Sequence, residues 1–341
     1  MLTTVQDSVL QLLPSRRKTG QNGWLSFNAP CCTYTGETAD TRGRGGLKTD
    51  SGKISYHCFN CGFKTSYQPG RHLTYKFRRF LSWLGADDNT VRRLVIDAIR
   101  VKDLINPEEL VKEPEQEIVF ESRALPDQAR SIIELEAFYR IGDYTNVPPE
   151  LLAAIEYVNR RNINLDRYSF YWTPEEAYNL HRRVIVPIYY QKQIIGYTAR
   201  AIVDGIKPKY HSSHPSDTVF NLDHQLPDWR FVVVCEGPFD AMSIDGVALS
   251  GSECSEQQAE LIDRLQREVI VVPDADRAGQ KLIDRAVELG WSVSFPVWQE
   301  TCKDINEAVL RYGKLFVIKS ILEAKQTSKL KIELMKKRMS I

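Results

Sequence analysis

The chain has 341 residues, 43% hydrophobic and 26% charged, which excludes a disordered or fibrous protein and leaves room for two or three domains. Its 45 basic and 44 acidic side chains nearly cancel to a net charge of +1, so whole-chain charge selects no partner. No apolar run is long enough to span a membrane, and residues 1–13 lack the basic-then-apolar order of a secretion signal, so a cytoplasmic protein with no membrane partner is expected.

In chain order, residues 15–72 come first, rich in Gly, Thr, Lys and aromatics, with short strand-like runs. Arg16, Arg17, Lys18, Arg42, Arg44, Lys48, Lys53 and Lys64 crowd this stretch, Arg71, Lys76, Arg78 and Arg79 follow, and acids are sparse. That asymmetry favours a polyanionic partner. Cys58-Phe59-Asn60-Cys61 is a C-x-x-C pair, and Pro30-Cys31-Cys32 stands upstream. Two thiolate pairs separated by a loop are the pattern of a closed, structural zinc ribbon. Clustered cysteines also fit a reducing compartment, where they ligate metal more readily than they form disulfides. Adjacent cysteines chelate less well than C-x-x-C, so Cys31, Cys32 and His57 compete to complete the site. Trp24, Phe27, Tyr56, Phe59, Phe63 and Tyr67 are interleaved with the basic residues. At least half of these rings are expected in the ribbon's small core, with the remainder free to stack on unpaired bases. Residues 43–49 (GRGGLKT) lack the spacing of a phosphate loop and no apolar strand precedes them, which excludes an ATP-driven helicase in this chain.

Apolar residues recur at helical spacing over 73–104. Residues 106–117 are acidic and proline-containing, the composition of a linker. Helical patterns return over 126–135 and 149–160. Residues 184–190 and 194–199 read as strands of a hairpin across 191–193. After Asp228 the apolar strands 231–235, 269–272 and 293–297 alternate with helices 255–267 and 278–289, which implies a parallel sheet covered on both sides. Residues 315–339 read as one basic amphipathic helix.

Acidic residues follow those three strands: Glu236 with Gly237, then Asp274 and Asp276, then Asp304 with Asn306 two residues on. Groups just beyond the carboxyl ends of parallel strands converge on one crevice. Carboxylates meeting there repel one another unless hard divalent cations sit between them, which implies Mg²⁺ or Mn²⁺. Two such ions suit phosphoryl transfer. For any one of these acids alone, a solvated loop residue or a helix cap explains it equally well.

The segments 235–241 (CEGPFDA), 274–279 (DADRAG) and 303–306 (KDIN) resemble the three motifs of the Toprim domain, shared by bacterial-type primases, topoisomerases and some nucleases. Upstream, 183–188 (RVIVPI), Gly196-Tyr197 with Arg200-Ala201, and 208–210 (PKY) resemble the basic part of the primase polymerase core. With a zinc ribbon ahead of that core, the order of parts is that of a primase, most similar in its compact size to those of T-even-type bacteriophages. The resemblance implies an α/β chain divided into a zinc-binding ribbon (1–72), a helical segment and linker (73–124), a mixed α+β basic subdomain (125–228), a Toprim parallel-sheet domain (229–312) and a C-terminal helix (313–341). It implies a nucleotidyltransferase that makes short RNA primers from ribonucleoside triphosphates on single-stranded DNA for lagging-strand replication. Glu236, Asp274, Asp276 and Asp304 would hold the catalytic metals, Arg200 and Lys209 would bind template or nucleotide phosphates, and Asp240 would support them. The ribbon would help recognise the start site, and a replicative hexameric helicase would be the primosome partner, in host cytoplasm if the protein is viral. The alternatives are a Toprim nuclease or topoisomerase, the latter needing a separate tyrosine-bearing domain for which little chain remains, and a non-catalytic recombination mediator, which usually lacks the full acid set.

Overall fold

The computed structural model describes residues 4–20, 23–104, 118–142, 146–251, 253–274, 277–298 and 302–339. The linker read at 106–117 lies outside the described residues. The chain forms two compact units, the first built mainly of Met1–Gln116 and the second of Glu117–Leu265 and Val269–Ile341.

The first unit holds α1 (Thr4–Leu12), β1 (Lys18–Thr19), β2 (Leu25–Phe27), β3 (Gly45–Asp50), β4 (Lys53–Cys58), β5 (Lys64–Tyr67), α2 (Tyr75–Trp83) and α3 (Asp88–Leu104). The strands pair in chain order as one antiparallel sheet. Along β4, buried Ile54, Tyr56 and Cys58 alternate with the outward Lys53, Ser55 and His57, as a half-buried strand requires. The helical periodicity over 73–104 resolves into two helices. Thr74 caps α2 by accepting from the Phe77 N–H, and the chain breaks at Gly85, whose φ of +95° a side chain would resist. Phe27, Leu47, Ile54, Tyr56, Phe77, Phe80 and Leu94 form the core, with the Tyr56 and Phe80 rings stacked at 4.1 Å.

The second unit begins with β6 (Arg130–Ser131), α4 (Ile132–Ile141), α5 (Pro149–Arg161), β7 (Tyr171–Trp172), β8 (Arg183–Tyr190), β9 (Gln193–Ala201) and β10 (Tyr210–Ser213). Its first sheet is antiparallel, in the order β10-β9-β8-β7-β6. The helix expected from 126 starts only at Ile132. Gln128 adopts a φ of +57°, which interrupts a helix, and residues 130–131 pair with β7 instead. The β8–β9 hairpin turns on two residues, Gln191 and Lys192, both with positive φ. The Asp223 carboxylate accepts both of their backbone N–H groups, at 3.0 and 2.6 Å.

The rest of this unit holds β11 (Phe231–Cys235), α6 (Pro238–Ile244), β12 (Val247–Ala248), α7 (Glu256–Asp263), β13 (Glu268–Val271), α8 (Arg277–Leu289), β14 (Ser292–Ser294), α9 (Ile305–Tyr312), α10 (Lys314–Glu323), β15 (Lys325–Gln326) and α11 (Lys329–Met339). The sheet order is β12-β11-β13-β14-β15, with β11/β12 and β13/β14 parallel. The single helix read over 315–339 is two helices separated by β15, which pairs antiparallel with the edge strand β14. Apolar periodicity continues through the break, so spacing alone could not show it. Both sheets of this unit share one core, in which Val184, Val186 and Ile188 join Phe239, Met242, Ile270, Ile305 and Val317.

Candidate functional site

In the first unit, the thiols of Cys31, Cys32, Cys58 and Cys61 lie within 4.8 Å of one another, the one such group of potential metal ligands among the described residues. Cys31 Sγ stands 3.4 Å from Cys61 Sγ, and Cys32 Sγ 3.5 Å from Cys58 Sγ. Four thiolates around a tetrahedral zinc at ~2.3 Å would stand ~3.8 Å apart, so the soft donor set fits that ion with little adjustment. Adjacent cysteines serve because Cys31 is in the helical region and Cys32 opens a 3₁₀ turn to Tyr34. Successive side chains in such a turn fan apart by roughly 120°, so one thiol reaches Cys61 and the next reaches Cys58. His57 is displaced from the competition: its ring packs at 4.2 Å from Phe59, and the thiol quartet is complete without it.

Burial pushes the thiol of Cys31 well up and that of Cys32 up to about 11. Burial also opposes ionisation of Cys61, but hydrogen bonds from the Thr35 hydroxyl and the Phe63 backbone outweigh it and bring it down to about 7. The loop before β3 is held by Asp40, which motif reading missed. Burial disfavours its charge, yet its carboxylate accepts from the backbone N–H groups of Ala29, Arg42 and Arg44 at 2.7–2.9 Å, and these hold it below the usual carboxylate range. Of the six interleaved aromatics, Phe27, Tyr56 and Tyr67 are buried and Phe63 packs against the core, while Phe59 is 67% exposed.

In the second unit the acids surround the carboxyl ends of β11 and β13 and the start of α9. Glu236 directly follows β11, and its carboxylate accepts from the Asp274 backbone N–H at 3.2 Å. Asp274 follows β13 and is exposed. Gly279, in the first turn of α8, lets that helix pack onto Asp274: a Cβ there would stand 2.0 Å from the Asp274 carbonyl oxygen. Asp304 caps α9, its carboxylate accepting from the Glu307 N–H at 2.8 Å. Asp276 lies outside the described residues.

Asp240 is the centre of this group. Burial, then the charges of Asp304 and Asp274, push its carboxyl up to about 7 against the opposing Asn306 N–H bond. The Asn306 N–H donates to Asp240 Oδ1 at 3.0 Å. Asn306 in turn donates to the Ser243 hydroxyl at 2.8 Å and accepts from Arg161 Nη1 at 2.7 Å, and Arg161 also donates to the Tyr157 hydroxyl at 2.8 Å. This frame of Tyr157, Arg161 and Asn306 fixes the acids from behind. Asn306 stood in a motif, but Tyr157 and Arg161 lie on α5 with no local signal. An all-oxygen donor set gathered at the ends of these strands fits a hard divalent cation.

Arg200 and Lys209 are placed differently. Arg200 lies over the Tyr210 ring at 4.8 Å, and its Nε is buried without a hydrogen-bond partner among the described residues. Tyr210 feels Asp240 as well as Arg200, which ties this cation to the acidic crevice. Lys209 is exposed, and its carbonyl accepts from the buried Arg183 at 3.4 Å.

A pH effect follows from Asp240. In metal-free protein the folded chain holds a proton on Asp240 that the unfolded chain releases near pH 4, so stability falls as pH rises from about 4 through about 7. Asp240→Asn keeps the acceptor for Asn306 and removes the charge. Under chelator it should be more stable than wild type at pH 8 by ~2–4 kcal/mol, with the difference closing near pH 4. Urea titrations at both pH values check this, and equal stability at pH 8 would contradict it.

Residues 233–309 match the family description "Toprim-like". The chain is similar to the DNA primase of Aquifex aeolicus, 29% identical over 153 residues that cover 39% of this chain and 30% of that protein. It is also similar to the DNA primase of Clostridium acetobutylicum, 27% identical over 200 residues covering 53% and 31%. Each match thus spans about a third of the relative's length. Among solved structures, the zinc-binding and RNA polymerase domains of the Aquifex aeolicus primase align with 98% of this chain and 88% of theirs, at a TM-score of 0.45 and 17% identity. No helix among the described residues is long and apolar enough to cross a membrane. The chain therefore joins a four-cysteine antiparallel ribbon and a second antiparallel sheet to a Toprim-like domain whose sheet is parallel but for one edge strand.

Proposed function

We propose that the chain is a DNA primase, a nucleotidyltransferase that makes short RNA primers on single-stranded DNA from ribonucleoside triphosphates. The observation that carries this reading is the gathering of Glu236, Asp274 and Asp304 around Asp240 in a Toprim-like domain. Glu236, Asp274 and Asp276 would hold Mg²⁺ or Mn²⁺, with Asp304 completing the acidic set. Such ions, when bound, supply charge for activating a 3′-hydroxyl and for the departing pyrophosphate. The chain's own residues do the positioning. Glu236 pins the Asp274 backbone, Asn306 and Arg161 fix Asp240, and Arg200 offers its buried Nε beside the crevice. Arg200 and Lys209 would bind template or nucleotide phosphates, as guanidinium and ammonium groups do.

The thiol quartet would hold zinc and so shape the ribbon, with exposed Phe59 and the basic residues of that unit toward the start site. A replicative hexameric helicase is the expected partner, and replication in cytoplasm, a host's if the protein is viral, the expected setting. The compact order of ribbon, basic sheet and Toprim-like domain suits a T-even-type phage primase.

The test is incubation of the full chain with circular single-stranded DNA, labelled ribonucleotides and Mg²⁺ or Mn²⁺. Short, alkali-labile RNA is expected. Cut DNA without RNA, or relaxation of a supercoiled plasmid assayed alongside, would favour a Toprim nuclease or topoisomerase instead.

A further inference from the structure

Tyr178 and Asn179 interrupt a 3₁₀ segment with consecutive positive φ angles of 52° and 55°. Asparagine tolerates this region, but for tyrosine it is strained, and such strain persists only where the surroundings enforce it. Here Arg183 enforces it. Arg183 is only 1% exposed, and no carboxylate among the described residues meets its guanidinium. It donates instead to four carbonyls: Tyr178 at 3.1 Å, Ala199 at 3.2 Å, Pro208 at 3.0 Å and Lys209 at 3.4 Å. One buried cation therefore ties the Tyr178 turn to the loop that carries exposed Lys207 and Lys209.

The turn lays the Tyr178 ring on His211, with centroids 4.4 Å apart and planes 15° from parallel. Tyr178 nonetheless remains 69% exposed, so its outer face is open. Strand register separates this stack from the acidic crevice. Tyr210 pairs with Arg200 on one face of the sheet, while His211 pairs with Ala199 on the other. A flat, open ring on an aromatic support beside two exposed lysines is the arrangement that takes an unpaired base with its flanking phosphates.

We infer that Tyr178, stacked on His211 and held by Arg183, is a platform for an unpaired base of a nucleic-acid strand, on the sheet face opposite Arg200 and Tyr210. The inference rests on the polymerase reading above; it uses none of the proposed metal-holding acids and shares with that reading only Lys209. A strand running over this face would be gripped at a second point, outside the crevice.

Binding of the full chain to a short fluorescent oligodeoxythymidine, an oligouridine of equal length and an abasic deoxyribose-phosphate strand separates the outcomes. Tyr178→Ala should weaken binding to the base-bearing strands about 5- to 100-fold and leave the abasic strand unchanged. Tyr178→Phe should bind like wild type. Tyr178→Trp should gain fluorescence that the base-bearing strands quench and the abasic strand does not. The larger loss, on DNA or on RNA, identifies template or product as the occupant. Wild-type affinity in Tyr178→Ala, or equal loss on all three strands, would overturn the platform. Should the alanine variant misfold, an unquenched Tyr178→Trp would overturn it. Primer synthesis by wild type together with either result would reject the platform alone, whereas a wild type that binds no strand and makes no RNA would reject both readings.

Discussion

Asp274→Ala is expected to lower primer synthesis at least about 100-fold, since a charge held at a phosphoryl-transfer centre contributes several kcal/mol and each 1.36 kcal/mol is tenfold in rate. Binding of single-stranded DNA should survive, because the substitution removes a side chain and leaves the local frame. The contact to Glu236 is made by the Asp274 backbone N–H, and the contact that excludes a Cβ at Gly279 is made by the Asp274 carbonyl. Neither needs the carboxylate. Asp274 is also exposed, so its truncation leaves no cavity and should change stability by less than about 0.5 kcal/mol. A loss of synthesis in a chain that melts like wild type is therefore a loss of chemistry. Glu236→Ala is a less clean probe, because it also frees the Asp274 backbone. If Asp274→Ala makes primers at the wild-type rate, the acidic crevice is not the catalytic site.

The second large effect is expected at the cysteines. Cys58→Ser should remove bound zinc, expected at about one per chain in wild type, and destabilise the first unit by about 5 kcal/mol or more, because structural zinc binding is folding free energy. The thiols sit where burial keeps Cys31 and Cys32 protonated, so four of them gathered this closely gain little from one another without a cation. The unit's other resource is its aromatic core, where Tyr56 packs on Phe80 and also contacts Cys31 Sγ at 3.3 Å. Loosening the quartet thus loosens the core beside it. Elemental analysis, with limited proteolysis and circular dichroism before and after chelation, reads this out. A Cys58→Ser chain that keeps full zinc and wild-type protease resistance would contradict the assignment.

The parallel strands were legible because FVVVC and VIVV are apolar on both faces, and Glu236 and Asp274 were legible because each follows such a strand, whereas Asp304 stands at the start of α9, well beyond β14. The cysteine pairs were legible by spacing, but the use of both Cys31 and Cys32 was not, since it depends on the 3₁₀ turn that fans their side chains. The break between α10 and α11 has no local signal, because strand β15 forms only through its partner β14. The frame behind the acids was hidden for a similar reason. Arg161 and Asn306 are 145 residues apart, and no local pattern marks a contact made by folding one helix onto the start of another. Tyr178 was silent in sequence because its significance lies in two backbone angles and a buried arginine.

The most direct test of the central claim is template-dictated incorporation by the full chain. On single-stranded DNA tracts of defined base, with one labelled ribonucleotide at a time and Mg²⁺, the complementary ribonucleotide alone should enter short alkali-labile products, and Asp274→Ala should abolish them. Incorporation that ignores the template, or no incorporation by a zinc-loaded wild-type chain on any tract, would contradict a primase.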